Sequence, residues 1–480
     1  MRADPRGNGV FPPPSPSPAQ ATRPRVAVIG SGIAGLAAAH TLKGLAHVTL
    51  FEAGTRFGGH AHTVDVTMPD RHTLAPVTFG VDTGFLVLNE RTYPHLLDLL
   101  SELNVDIAPS DMSFSVQAAG QGYKGEMLEW SGSDLNTVFS QRRNLIRPAF
   151  WRMLSDIVRF NRMATQLARQ GADLGHQSPL HQPLRDFLAQ HRFSSEFVDW
   201  YLLPMLGCIW SCPTDQMLAF PVATLIRFCH NHGLIQVSHR PQWFTVKGGS
   251  RNYVNKIIAQ VDDAKAGSPV HHLQRYGGRV HITTDTGTES FDGAILACHT
   301  DQALDILGPG ASAAERTMLG AIRYQRNHAV LHTDASVLPK SRRAWAAWNY
   351  ERSPQAQREE ADVCLHYLIN KLQPIPTDEP VVVSLNPRRT IGASQVIGEY
   401  EYDHPVFDLR AIEAQGNLAT IQGSGQVWFA GAWAGYGFHE DGLKSGLQAA
   451  RSLIRHFDQA PAPAANTSSP SAQMREVASS

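Results

Sequence analysis

The 480-residue chain is 42% apolar and 18% charged with a formal net charge of -1, an ordinary globular balance in which charge gives no argument for nucleic acid or an acidic partner. No window reaches the roughly 18 consecutive apolar residues that a membrane span requires, and five cysteines are too few for a disulfide framework, so reduced thiols are expected. The length suffices for two structural domains with sizeable cores.

Residues 1–24 carry seven prolines and no apolar core, which predicts a disordered lead-in rather than a signal peptide. Arg25–Gly30 is a short β-branched run with the profile of a doubly buried strand. A helix is predicted from Ile33 to Leu45 and a second buried strand over His47–Ala53, completing one βαβ unit. Asn89 is placed to cap a helix over Tyr93–Leu103. Residues 112–130 alternate as strands do, and 134–235 read as mostly helical, interrupted by Pro183, Pro204, Pro213 and Pro221. The β pattern returns at Gln242–Val246, before Gly248-Gly249 and a helix over Tyr253–Val261. A hairpin is expected across Val270–Thr286 around Gly277-Gly278, then a buried strand over Phe291–Cys298. Residues 303–420 mix helix and strand. Gln426–Trp433 is the last buried strand, Asp441–Phe457 the last helix, and 458–480 a disordered Ala/Pro/Ser-rich tail.

Gly30-Ser31-Gly32-Ile33-Ala34-Gly35 spells G-x-G-x-x-G between strand and helix. The first glycine allows the tight turn, the second lets backbone approach a pyrophosphate, and the third lets helix pack on strand. The pyrophosphate would rest on the helix N-terminus, where free N–H groups favour negative charge. Glu52 closes the second strand about 20 residues on, placed to accept from ribose hydroxyls. The next residues extend the pattern: Glu52-x-x-x-Arg56-x-Gly58-Gly59 offers a second backbone approach to the diphosphate, with an arginine to neutralise it.

The extended pattern resembles the FAD signature of the glutathione-reductase-type flavoproteins, and the rest of the chain resembles their flavin amine oxidase group. Phe79–Leu86 (FGVDTGFL) is similar to the strand and turn along the flavin in that group. The resemblance assigns Thr83, Gly84 and His60 to flavin contact and Val270 to a backbone hold on adenine. Trp428–Ala450 is similar to the group's C-terminal motif, which implies flavin contacts at Gly431, Asp441, Gly442 and Leu443 from a helix start aimed at reduced flavin. His60 stands where the amine oxidases usually carry arginine. Trp433 or Ala434 stands near the place of a tethering cysteine, which implies non-covalent FAD. No second G-x-G-x-x-G follows a strand, so no nicotinamide domain is expected.

The implied fold class is α/β: a glutathione-reductase-type, Rossmann-like FAD-binding domain (25–111, 240–302 and 421–457) with a discontinuous α+β substrate domain (112–239 and 303–420). Strings such as GGHAHTVDV (Gly58–Val66) and HEDGLKSGL (His439–Leu447) resemble a bacterial subfamily of NAD/FAD-binding proteins related to the flavoprotein domain of plant-type cyclopropane fatty acid synthases. That resemblance implies an FAD-dependent oxidoreductase taking hydride from a carbon of a fatty-acyl lipid. The alternatives are an amine oxidase, a flavin-dependent isomerase, or a non-catalytic binding module such as the Rab GDP-dissociation inhibitors, which keep the fold without flavin.

The substrate side is less specific. Gln141–Gln170 holds seven arginines against one acid, Asp156, with apolar residues at Phe150, Met153, Leu154, Ile157, Val158 and Phe160. This is the pattern of a helix lying on an anionic bilayer, or of a core helix with a solvated arginine face. Trp200–Trp210 offers an apolar pocket lining or plain core, and Trp243 and Lys247 fall on the expected substrate side. His60, His62, His230 and His232 are read either as acid/base groups or as satisfied histidines, and no catalytic base is assigned. The 22 histidines form no HExxH or Cys/His zinc spacing, so no metal is expected. The resulting expectation is a cytoplasmic enzyme of open oligomeric state with a small lipid substrate, no nucleic-acid partner, and a peripheral contact of 141–170 with the inner membrane face.

Overall fold

A computed structural model of the chain describes residues 23–169, 182–210, 214–235, 240–352 and 363–459. Most of the expected disordered lead and tail lies outside the described residues, as do Gln170, Cys212 and Pro213. Five parallel strands make the first sheet, in the order Asp263–Lys265, His47–Phe51, Arg25–Ile29, Gly293–Leu296 and Val427–Phe429. Three widely separated stretches of chain therefore return to one sheet. Alternation along the first strand decides its two faces. Val26 and Val28 pack with the helices Ile33–Leu42 and His439–Gln459. Ala27 and Ile29 pack with the antiparallel strands His272–Tyr276, Arg279–Thr284 and Gly287–Phe291.

The two helices approach closely because small residues line their crossing. A Cβ on Gly446 would stand 2.1 Å from the Ala34 carbonyl oxygen, and one on Gly442 would stand 2.7 Å from Ile33 Cγ2. The G-x-x-S-G string thus opens the helix–helix contact that holds the glycine turn in place.

A second, seven-stranded sheet runs Val396–Val406, Arg323–His332, Val382–Leu385, Cys364–Leu368, Trp348–Arg352, Phe114–Ala118 and Leu128–Ser131. All its pairings are antiparallel except that of Trp348–Arg352 with Phe114–Ala118. The helices between 148 and 231 pack on it in one large apolar core.

The 22-residue helix Pro148–Arg169 buries Phe150, Met153, Phe160 and Ala164 in that core. Most of the stripe expected on a bilayer is spent inward. Arg152 pairs with Glu196, and Arg159 pairs with Asp156 and stacks over Phe193. What remains outside is Val158 of that stripe, 56% exposed, together with Leu145, Ile146 and Trp151, with Ile146 84% exposed. Among the described residues, no helix is long and apolar enough to cross a membrane.

One helix start differs from expectation. Pro94–Glu102 has Tyr93 at its N-cap with no side-chain cap. Asn89 instead closes a turn, its Oδ1 accepting from the Arg91 and Thr92 amides at 2.9 Å each. The cap comes from Glu440, whose carboxylate accepts from the His95 and Leu96 amides at 2.9 and 3.0 Å.

Candidate active site

The glycine turn is built as its spacing demands. Gly30 sits at φ +100, and a Cβ there would lie 2.6 Å from the Ala297 carbonyl oxygen; a Cβ on Gly35 would meet the Gly30 carbonyl oxygen at 1.9 Å. Gly32 is different. It has φ -61 and N-caps Ile33–Leu42 without a side-chain cap, and a Cβ on it would meet nothing within 4 Å. Its open side faces a cavity of about 870 Å³ that it lines together with Ser31, Ile33 and Ala34. That volume is at the upper end for small-molecule and cofactor sites.

Glu52 also lines this cavity and is fixed in place. Its Oε2 accepts from the Ser31 amide at 3.0 Å and the Ser31 hydroxyl at 2.5 Å, and its Oε1 from the Gly54 amide at 2.8 Å. A carboxylate held this way at the end of a strand keeps one acceptor site on Oε1 and can receive a ribose hydroxyl there without first becoming ordered. Glu52→Ala is expected to weaken FAD affinity by roughly ten- to a hundred-fold, the effect of losing about 1.5–3 kcal/mol of charge-assisted hydrogen bonding. Titration of the flavin-free chain measures it, and unchanged affinity would move the ribose contact elsewhere.

Arg56, Gly59, His60, Gly84, Val270 and Gly431 line the same cavity. Gly35, Gly58, Thr83, Asp441, Gly442 and Leu443 are set behind the wall and shape it. Gly58 takes φ +113, its amide donating to the Ser31 hydroxyl oxygen at 3.1 Å. The Thr83 hydroxyl is bonded to the Tyr402 hydroxyl at 2.6 Å. Asp441 accepts from the Tyr436 and Phe438 amides, both at 3.0 Å, and shapes the turn into the last helix. Leu443 is core, and the Gly442 amide is used within the helix, donating to the Phe438 carbonyl at 3.1 Å. Beside Thr83, Asp82 ties the region together. Its carboxylate accepts from the Ser250 amide and hydroxyl, Thr63 and Gln373, joining the strand Pro76–Asp82 to the Gly248-Gly249 turn.

His60 is central to the wall. Its ring lies 5.0 Å from that of Tyr402 and 5.4 Å from that of His404, its carbonyl accepts from the Phe85 amide at 2.8 Å, and its buried Nε2 has no hydrogen-bond partner among the described residues. Burial holds His60 neutral, with its pKa well below the usual histidine value. His439, absent from the sequence-level candidates, also lines the cavity. It stacks on Phe85 at 3.8 Å, is bonded through Nε2 to the Tyr253 hydroxyl at 2.6 Å, and is pushed down to about 3 by burial. His62 stays outside the cavity, bonded to Tyr402, and Lys247 is exposed.

Beyond this end the cavity runs on between aromatic walls. Of the helical segment Trp200–Trp210, Met205, Cys208, Ile209 and Trp210 reach it, whereas Trp200, Leu202, Leu203 and Leu206 are core. Trp243, Phe228, Tyr436 and Phe438 continue the wall, with Trp348 and Tyr367 from the seven-stranded sheet. The indole nitrogens of Trp210 and Trp348 are buried without partners among the described residues. His232 lines this part too, bonded through Nδ1 to the Phe228 carbonyl at 3.0 Å and pushed down to about 4 by burial, so its Nε2 is an unprotonated acceptor.

The residues fit FAD on grounds internal to the structure. Of the three glycines in the turn, Gly32 alone has a missing Cβ that opens on space, and it stands at an uncapped helix N-terminus. A fixed carboxylate stands at the adjacent strand end, and His60, whose buried Nε2 has no partner among the described residues, lines the same cavity.

The profile of the flavin containing amine oxidoreductases matches residues 33–330. Similar solved structures include a CLA-producing fatty acid isomerase from P. acnes (16% identity, 92% of this chain and 100% of that one, TM-score 0.62). A cyclohexylamine oxidase from Brevibacterium oxydans is similar at 17% identity over 91% of this chain and 100% of that one, TM-score 0.63. A putrescine oxidase bound to putrescine is similar at 16% identity over 90% and 99%, TM-score 0.63. No curated protein matches the sequence.

Proposed function

We propose, for a chain that belongs to the flavin containing amine oxidoreductase family and is thus an FAD-dependent oxidoreductase, that the substrate is a fatty-acyl chain from which hydride leaves a carbon. The single observation that carries this reading is the chemistry of the far wall. Met112, Phe114, Met205, Ile209, Trp210, Phe228, Trp243, Trp348, Tyr367 and Phe438 supply it, while the carboxylates of the cavity lining, Glu52, Asp305, Glu401 and Asp403, come from other segments of the chain. A protonated amine held among these aromatic side chains would lose its hydration with no carboxylate among them to replace it. An acyl chain gains on entry, at about 25 cal/mol for each Å² removed from water.

When bound, FAD supplies the hydride acceptor. The chain's own residues do the rest. Gly32 and the Ile33 helix start hold the diphosphate, Glu52 the ribose, and Arg56 adds positive charge. The aromatic wall orients the acyl chain and excludes water. His232 is an unprotonated acceptor facing the cavity, able to take up a proton at Nε2 in an oxidation or carry one between carbons in an isomerisation. The fatty acid isomerase among the structural neighbours agrees with an acyl substrate. So does the sequence resemblance to the flavoprotein domain of cyclopropane fatty acid synthases. The exposed Leu145, Ile146 and Trp151 beside Arg142 and Arg143 suit docking on an anionic bilayer from which such a substrate is drawn.

Anaerobic flavin reduction tests the proposal. Free fatty acids and phospholipids, the latter in anionic and neutral vesicles, are compared with primary amines and diamines. A lipid is expected to bleach the flavin, or to be isomerised without net bleaching, faster in anionic than in neutral vesicles. Bleaching by amines alone, with lipids recovered unchanged, would overturn the acyl assignment.

A further inference from the structure

The seven-stranded sheet has a second polar centre, on the face turned away from the cavity. Trp348 and Tyr367 are register partners and line the cavity. Strand alternation sends their neighbours the other way. Glu351 and Cys364 are likewise register partners, and Cys364 and His366 are two residues apart on one strand. Three different ligand types therefore meet on one buried face, with Cys364 and His366 0% exposed and Glu351 8%.

Their geometry converges on a point. Glu351 Oε2 lies 3.0 Å and Cys364 Sγ 3.6 Å from the same ring nitrogen, His366 Nε2, and the three donor atoms are all within 4.8 Å of one another. A thiol–imidazole–acid relay would be arranged differently, with the acid on the ring nitrogen remote from the sulfur. In this protein the remote nitrogen, Nδ1, faces Ser384 Oγ at 2.7 Å, and Ser384 Oγ lies 2.7 Å from His332 Nε2. The other oxygen of Glu351 accepts from Arg389 at 3.1 Å. Two of the three groups are thus oriented by outer partners, as metal ligands are. A tetrahedral zinc ion with Zn–S about 2.3 Å and Zn–N about 2.05 Å sets sulfur and nitrogen roughly 3.6 Å apart. The same ion would ask the Glu351 Oε2–His366 Nε2 pair to open from 3.0 Å to about 3.3 Å.

We propose that Glu351, Cys364 and His366 form a binding site for one thiophilic divalent cation. One thiolate, one imidazole and one carboxylate are a zinc set, and three protein ligands leave a fourth position to water. Binding releases the Cys364 thiol proton, and any proton on His366 Nε2, to solvent. The ion would fasten the end of Trp348–Arg352 to the start of Cys364–Leu368. The proposal stands apart from the substrate assignment.

The test uses the full chain with its FAD, purified without chelator or metal-affinity resin. Elemental analysis should find about one zinc per chain. Cys364→Ser and His366→Gln should each lose most of it while flavin content stays. After zinc is removed, added Co(II) should give a thiolate-to-cobalt charge-transfer band in the parent and none in Cys364→Ser. Zinc retained in Cys364→Ser would overturn the site. So would a parent chain with neither zinc nor a cobalt band, a measurement that decides the matter even if the variants fail to fold.

Discussion

A Gly32→Val chain is expected to fold and to emerge colourless. The structure separates the three glycines of the turn by what a side chain would meet. At Gly30 and Gly35 a Cβ runs into backbone oxygens at 2.6 and 1.9 Å, so substitution there attacks the fold itself. At Gly32 the backbone is at φ -61 and a Cβ meets nothing within 4 Å. The valine side chain would occupy only the space in which the diphosphate must approach the Ile33 helix start. Binding should fall by more than about a hundred-fold, over ~2.7 kcal/mol, with the thermal midpoint of the flavin-free chain within about two degrees of the flavin-free parent. Gly30→Val should instead be recovered unfolded or not at all. A folded Gly32→Val chain with full flavin content would refute the site.

Acid should destabilise the protein strongly between pH 7 and pH 5. His232 and His404 are each pushed down to about 4, and His439 to about 3, all chiefly by burial. Their value in an unfolded chain is about 6.5. The folded pKa is therefore depressed, so the stability these groups contribute is complete above about 6.5. It is lost as pH falls, because the unfolded chain takes up protons that the folded chain refuses. At pH 5 each such histidine costs on the order of 2 kcal/mol. Three together approach the whole stability of a typical domain, about 5–15 kcal/mol. The thermal midpoint should drop by roughly five degrees from pH 7 to pH 5, with flavin released in the same range. A midpoint that holds steady down to pH 5 would show that these rings are hydrated and charged.

The parts legible in the sequence are those whose signal is local. Strand, glycine turn, helix and carboxylate lie within 30 residues of each other, and backbone sterics alone prescribe glycine at 30 and 35. Val26 to Ile29 read as doubly buried because both faces of a parallel strand are covered. Glu52, Arg56 and Gly59 follow at fixed spacing from that turn, and all three reach the cavity.

Other features were settled only by elements far apart in the chain. Asn89 has the chemistry of a cap, yet Glu440 caps Pro94–Glu102 across 345 and 344 residues to His95 and Leu96, because the last helix delivers a carboxylate to those amides. Gly442 and Asp441, which resemble flavin contacts, also serve the helix crossing and the closing of the turn. The arginine-rich helix turns Phe150, Met153 and Phe160 inward because the seven-stranded sheet offers them a larger apolar surface. His439 acquires its place from Phe85 and Tyr253, neither adjacent in sequence. Glu351 joins Cys364 and His366 only through antiparallel register, so a Cys-x-His pair one strand away carried no zinc spacing. The nucleotide turn and the class of cofactor are written in local sequence, since backbone sterics and phosphate charge act over a few residues. Which side chains share the cavity wall, and which polar groups are buried together, was decided by tertiary packing, because burial is set by what the rest of the chain lays on top.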